Sequence, residues 1–205
     1  MINGNLFLWI SYNNVQFITM DSNSQSVLPG TLLLSEPFLT DTSFVRSVVL
    51  VTEHNDLGSL GFIINKPTGH TLGEVIENFP LSDAPLHFGG PVETDSLFYL
   101  HNCPNLIGSR MVAPGLYFGG DFEELKSGLL SGEISPRMIR FFAGYAGWDA
   151  GQLANELKSN SWVISNPIPE LTFNRYADGM WEDVLKGMGT EYAELAFYPL
   201  DPNLN

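Results

Sequence analysis

The succession of patterns along the chain predicts an α+β fold, a mixed β-sheet curled toward a barrel with helices on its flanks. Three observations predict it. Hairpin patterns dominate the first half, and helical periods are inserted between strands without the strict alternation of a doubly wound parallel sheet. Several short strands carry bulky residues at successive positions, as in Leu32-Leu33-Leu34 and Val48-Val49-Leu50-Val51, the pattern of strands buried on both faces. At 205 residues, 44% hydrophobic and 16% charged, the chain is long enough to bury a sizeable core without staples.

Met1 to about residue 27 mixes the apolar run Leu6–Ile10 with Asn13-Asn14 and Ser22–Ser26 and shows no period. It is read as a mobile arm preceding a single domain over residues 28–205. Gly30–Leu34 reads as a buried strand, followed by a turn over Pro37–Asp41. Ser47–Thr52 and Leu60–Asn65 are strands joined by Asn55-Asp56-Leu57-Gly58, which carries the turn residues of a hairpin. After Lys66-Pro67 the period becomes helical: Thr71 caps, Glu74 stands three residues on, and Leu72, Val75, Ile76 and Phe79 make one stripe that Pro80 stops.

Short strands follow at Leu86–Phe88 and Leu97–Leu100, with a third within Ser109–Tyr117. Phe122–Leu130 is a helix, Met138–Phe142 a strand, Gln152–Lys158 a helix and Trp162–Ile164 a strand. A last helix is expected from about Tyr176 to Lys186, ending at Gly187 or Gly189. Between them, Phe141 to Leu153 alternates bulky aromatics with Gly144, Gly147 and Gly151. Glycine lets another backbone approach closely while its aromatic neighbours fill the volume beside it, so this stretch reads as a packing joint.

Charge narrows the partners. Twenty-three acidic against nine basic residues give a net charge of −14, and the basic residues are scattered singly except for Arg137 and Arg140. A nucleic-acid binder needs Lys and Arg gathered on one face to displace counterions, so direct nucleic-acid binding is not expected. Cys103 is the one cysteine, so no intrachain disulfide is available and nothing points to an oxidising compartment. No Lys or Arg precedes Arg46, and Leu6–Ile10 is far shorter than a membrane span. Neither a secretory signal nor a transmembrane helix is expected, and the expected location is the cytoplasm.

Three motifs stand in order: Ser47-Val48-Val49 through Glu53-His54-Asn55 with Gly61–Pro67; Gly89-Gly90-Pro91-Val92; and Gly144-Tyr145-Ala146-Gly147-Trp148 with Gln152, Leu153 and Glu156. Together, with the closing segment Tyr198–Asn205, they resemble the AlgH/YqgE family of bacterial proteins over about Leu28 to Asn205. The resemblance implies a bifurcated, barrel-like sheet with flanking helices. The family's label as a transcriptional regulator has no DNA-reading element behind it here.

The residues offer little conventional catalytic machinery. Gly144, Gly147 and Gly151 do not form G-x-G-x-x-G, and neither a phosphate-binding G-x-x-x-x-G-K-[ST] loop nor a G-x-S-x-G elbow occurs. His54, His70, His87 and His101 lack H-E-x-x-H spacing. A metal pair from His87 and His101 on adjacent strands is weaker than two ordinary strand histidines. Cys103, two residues after His101, reads as a buried or incidental thiol. No catalytic residue, metal or cofactor is therefore assigned.

What remains is a polar cluster at the ends of the first hairpin, converging with glycine turns and an aromatic. The candidate ligand-binding residues are Arg46, Asn65, Lys66, Gly89, Gly90 and Trp148. The expected function is a non-enzymatic binding or interaction protein with a protein or small-molecule partner and an indirect regulatory role. The alternative is a small-molecule enzyme using Lys66, and direct transcriptional control comes third.

Overall fold

Strand β9 (Ile139–Asp149) is the longest among the described residues, and the rest of the sheet is organised about it. The computed structural model describes residues 26–81, 83–173 and 178–198. Its other strands are β1 (Leu32–Ser35), β2 (Val48–Asn55), β3 (Gly58–Ile63), β4 (Pro67–Thr71), β5 (Pro85–Phe88), β6 (Val92–His101), β7 (Arg110–Ala113), β8 (Leu116–Phe118) and β10 (Trp162–Ser165). The helices are α1 (Leu72–Val75), α2 (Phe122–Ser131), α3 (Gln152–Lys158), α4 (Pro169–Thr172), α5 (Met180–Gly187) and α6 (Thr190–Ala193). The predicted arm and the segment after Tyr198 lie outside the described residues, apart from the arm's last residues. Of these, Val27 is buried in a core cluster.

The sheet runs β10-β1-β2-β3-β9-β6-β8-β7, with β4 and β5 branching off it. β3 pairs antiparallel with the far end of β9, Gly58 opposite Asp149. β5 pairs parallel with its near end, Leu86 opposite Phe141, and β6 takes the other edge. The sheet thus divides at β9 and is mixed, mostly antiparallel. It is not closed into a ring. Its β7 end nevertheless comes back against its beginning: Val112 and Leu116 pack in one cluster with Leu32 and Leu34, and Arg110 pairs with Glu53.

The doubly apolar strands have a simple cause. Successive side chains point to opposite faces, and both faces are covered. Leu32, Leu34, Val48 and Leu50 enter one core with Met180, Trp181, Val184 and Leu185 of α5. Leu33, Val49 and Val51 enter another with Trp148, Trp162 and Leu153 of α3. A third core gathers Leu72, Phe79, Leu86, Tyr99, Leu125 and Phe141 beneath α2.

Besides β4, α4 and α6, which no sequence pattern announced, three elements differ from the sequence expectation. The helix predicted to reach Phe79 stops at Val75. The Thr71 N–H does donate to Glu74 (3.1 Å), but Val75 is exposed and Ile76 turns extended, which lets Leu72 and Phe79 both reach the third core along an irregular path. The segment Ser109–Tyr117 holds two strands around Gly115, whose φ of +74° makes the turn. The aromatic-glycine joint is itself strand, since it forms the second half of β9.

Candidate functional site

Four of the six sequence candidates meet at one loop, residues 41–47. Asn65 Oδ1 accepts from the Val48 N–H and its Nδ2 donates to the Arg46 carbonyl, both at 2.8 Å. Lys66 Nζ donates to the Ser43 carbonyl at 2.8 Å. Burial lowers the Lys66 pKa, with the Asp41 charge opposing it. Arg46, at a φ of +48°, lays its guanidinium 5.1 Å from the Trp181 ring centre, donates to the Tyr198 carbonyl and pairs with Glu182 at 3.0 Å. Its Nε is buried without a partner. Phe44 stacks at 6.4 Å on Trp148, whose Nε1 donates to Glu156 at 2.8 Å.

Gly89 and Gly90 lie beside this corner, between β3 and β9. Gly89 donates to the Ala143 carbonyl and accepts from Ile63. A Cβ on Gly90 would fall 2.2 Å from the Tyr145 carbonyl carbon. Arg46, Asn65, Lys66 and Trp148 are thus brought together at the 41–47 loop, while Gly89 and Gly90 hold the β3–β5–β9 junction.

A second locus, absent from the candidate set, has polar groups left over. A cavity of about 190 Å³ opens where β5, β9 and the end of α4 meet. His87, Arg140, Ile139 and Phe141 are its buried floor; Asp83, Pro85 and Arg137 are its exposed rim. Arg140 is 4% exposed. Its Nη1 donates to the carbonyls of Thr172 (2.9 Å) and Leu171 (3.4 Å), capping the end of α4, while Nη2 is buried without a partner. None of the ion pairs among the described residues includes it. Burial lowers its pKa to about 10, which still leaves it a cation at neutral pH.

His87, also 4% exposed, packs on Phe142 with ring centres 6.0 Å apart, and its Nδ1 has no partner. Burial first, and the Arg140 charge second, lower its pKa to about 4, so its ring is neutral. The hydroxyl of Thr172 is a third buried group without a partner. Buried polar groups of this kind are costly unless something satisfies them. The sequence signal for the site was a charged residue inside an apolar strand, Ile139-Arg140-Phe141-Phe142, with His87 similarly set between Leu86 and Phe88.

His87 and His101 are not on adjacent strands; β5 and β6 flank β9 on opposite edges. His101 is buried, accepts from the Cys103 N–H and contacts the Gly119 carbonyl. Cys103 is buried, and burial raises its pKa, which makes its thiolate scarce. Among the described residues no three of His, Cys, Asp and Glu gather at metal-binding distance, and no helix is long and apolar enough to cross a membrane.

Comparison with known proteins gives consistent matches. A family model described as AlgH-like matches residues 32–193. A UPF0301 protein of Bacteroides fragilis is 42% identical over 193 residues, covering 94% of this chain and 98% of its own length. A UPF0301 protein of Cytophaga hutchinsonii is 44% identical over 178 residues, covering 86% and 98%. The solution structure of the AlgH protein from Pseudomonas aeruginosa superposes with a TM-score of 0.69 at 27% identity, over 88% of this chain and 98% of that one. A crystal structure from Corynebacterium diphtheriae, TM-score 0.70 at 24% identity over 87% and 95%, shares the fold.

Proposed function

The chain belongs to the AlgH-like family, and on that footing we propose that it is a non-enzymatic binding protein of the bacterial cytoplasm, one that holds a small ligand and acts through a protein partner. Any effect on transcription is then indirect. The observation that carries this reading is the cavity lined by His87 and Arg140 among mostly apolar side chains, with unpartnered polar atoms of the same two residues buried beside it. That combination is typical of ligand sites. The curl of the sheet, whose β7 end packs by side chains against β1 and β2, supports a barrel-like description of the frame that holds it.

A thermal-shift screen of small metabolites against the wild type and Arg140→Gln tests the reading. Ligands that raise the melting temperature of the wild type and not of the variant are expected, because a ligand binding only the folded state stabilises it. A screen in which no compound distinguishes the two proteins would overturn it.

The lowered amine of Lys66 supports one alternative, a small-molecule enzyme at the 41–47 corner. In that case Lys66→Ala abolishes turnover with the fold intact. In a binding protein centred on the pocket, Lys66→Ala leaves ligand and partner recovery unchanged.

A further inference from the structure

The ring of His101, at the end of β6, has one protonation state that fits its neighbours. It is fully buried. Its Nδ1 accepts from the Cys103 N–H at 3.1 Å, and its Nε2 lies 2.8 Å from the Gly119 carbonyl. A carbonyl only accepts and a backbone N–H only donates, so the ring proton sits on Nε2 and Nδ1 carries none. A second proton, on Nδ1, would point at the Cys103 N–H. It would replace a hydrogen bond with two opposed donors and place a charge in the core that neither contact balances.

What the ring holds is the loop 102–109. Cys103 and Leu106 of that loop lie in the third core, and Leu106 packs on Gly120, where an added Cβ would fall 2.9 Å from its Cδ2. The loop's other ties run to α2: the Ile107 N–H donates to the Glu124 carboxylate at 2.8 Å, and the Ile107 carbonyl accepts from Asp121 at 2.7 Å. Asn102, Pro104, Asn105, Ile107 and Gly108 are exposed. The titratable groups facing the ring are the phenols of Tyr99 (β6) and Tyr117 (β8), with ring centres at 5.9 and 5.7 Å, and the Cys103 thiol. The Asp121 and Glu124 carboxylates at the start of α2 act on Tyr99. We propose that His101 is a proton-operated latch: neutral, it ties the loop 102–109 to Gly119; protonated, it releases the loop and uncovers Cys103. Burial lowers the pKa of the ring while the loop is closed, and an open loop restores the ordinary value. The closed form is therefore favoured at neutral pH and loses ground as pH falls below about 6.5, by at most about tenfold per unit.

The test uses the one thiol of the chain as its reporter. Dithiodipyridine, a disulfide that thiols cleave, is added to the full chain between pH 7 and pH 5, and the rate at each pH is divided by that of an unstructured cysteine peptide. The ratio is expected to rise about tenfold on acidification in the wild type. It is expected to rise as much in His87→Gln, which removes the other buried histidine, and to stay level in His101→Asn, whose Oδ1 keeps an acceptor for the Cys103 N–H and takes up no proton. A level ratio in the wild type, or the same rise in folded His101→Asn, would overturn the latch. Should His101→Asn not fold, two measurements on the wild type decide. Long-range nitrogen correlation spectra at pH 7 are expected to find the ring proton on Nε2, and a proton on Nδ1 would overturn the proposal. In hydrogen exchange, the amides of Cys103 and Ile107 are expected to lose protection on acidification while those of Leu50 and Phe142 in the sheet keep theirs. Equal loss at all four would mean general unfolding and would overturn it as well.

Discussion

His87 stays neutral in the folded chain while an exposed histidine titrates near neutrality, so the fold is sensitive to acid at this position. Between its ordinary value of 6.5 and its folded value of about 4 the unfolded chain binds a proton that the folded chain does not. Stability therefore falls as pH drops through that window. At about 1.4 kcal/mol per pH unit the loss from pH 7 to pH 5 is about 2 kcal/mol. Urea unfolding at the two pH values should show wild type losing about that much more than His87→Gln; equal losses would contradict the buried neutral ring. Gly144 is a second residue with a definite requirement. It has a φ of +69°, and a Cβ there would lie 2.5 Å from the Gly90 carbonyl oxygen and 2.7 Å from that of Val92, where β6 bulges against β9. Gly144→Val should cost about 2 kcal/mol or more. At Gly147 the nearest atoms to an added Cβ belong to side chains, the Tyr145 ring at 3.2 Å and a Val92 methyl at 3.8 Å, so Gly147→Ala should cost under about 1 kcal/mol. Chemical denaturation of both variants checks the order. The packing joint was legible from the glycines themselves; that one of the two is much tighter depends on the β6 bulge, which no local pattern announces.

At the scale of elements, α3 fastens the second core through one carboxylate. Glu156 accepts from Trp148 Nε1 at 2.8 Å and Trp162 Nε1 at 2.7 Å, and Gln152 donates to its other oxygen at 2.8 Å. Glu156→Ala would leave two buried indole donors unsatisfied and should cost about 2 to 3 kcal/mol, whereas Glu156→Gln keeps an acceptor and should cost less. Comparing the two melting temperatures is the check, and equal losses would contradict the role of the acceptor. Helix α3 and the β2–β3 hairpin were readable because period and turn residues agree there. The strand β4 was hidden by Pro67 and Gly69, which weaken any strand pattern. The short α1 had every local signal of a longer helix and was overruled by the burial of Leu72 and Phe79 in the third core.

For the whole molecule, the net charge of −14 and dispersed basic residues predict no sequence-selective binding to duplex DNA. Fluorescence anisotropy at physiological salt should detect none, and submicromolar selective binding would revive direct transcriptional control. The 41–47 corner was legible because strand ends, glycine turns and aromatics converge in any fold built on that hairpin. The pocket was not, since it joins β5, β9 and α4 across long separations in sequence. Arg140 and His87 looked like lone polar residues in apolar strands until the sheet divided at β9 and placed them together. Native mass spectrometry of the gently isolated full chain tests the binding role most directly. The account predicts a small molecule bound to the wild type, released on activation and absent from folded Arg140→Gln; the same adduct on both proteins, or none on the wild type, would contradict it.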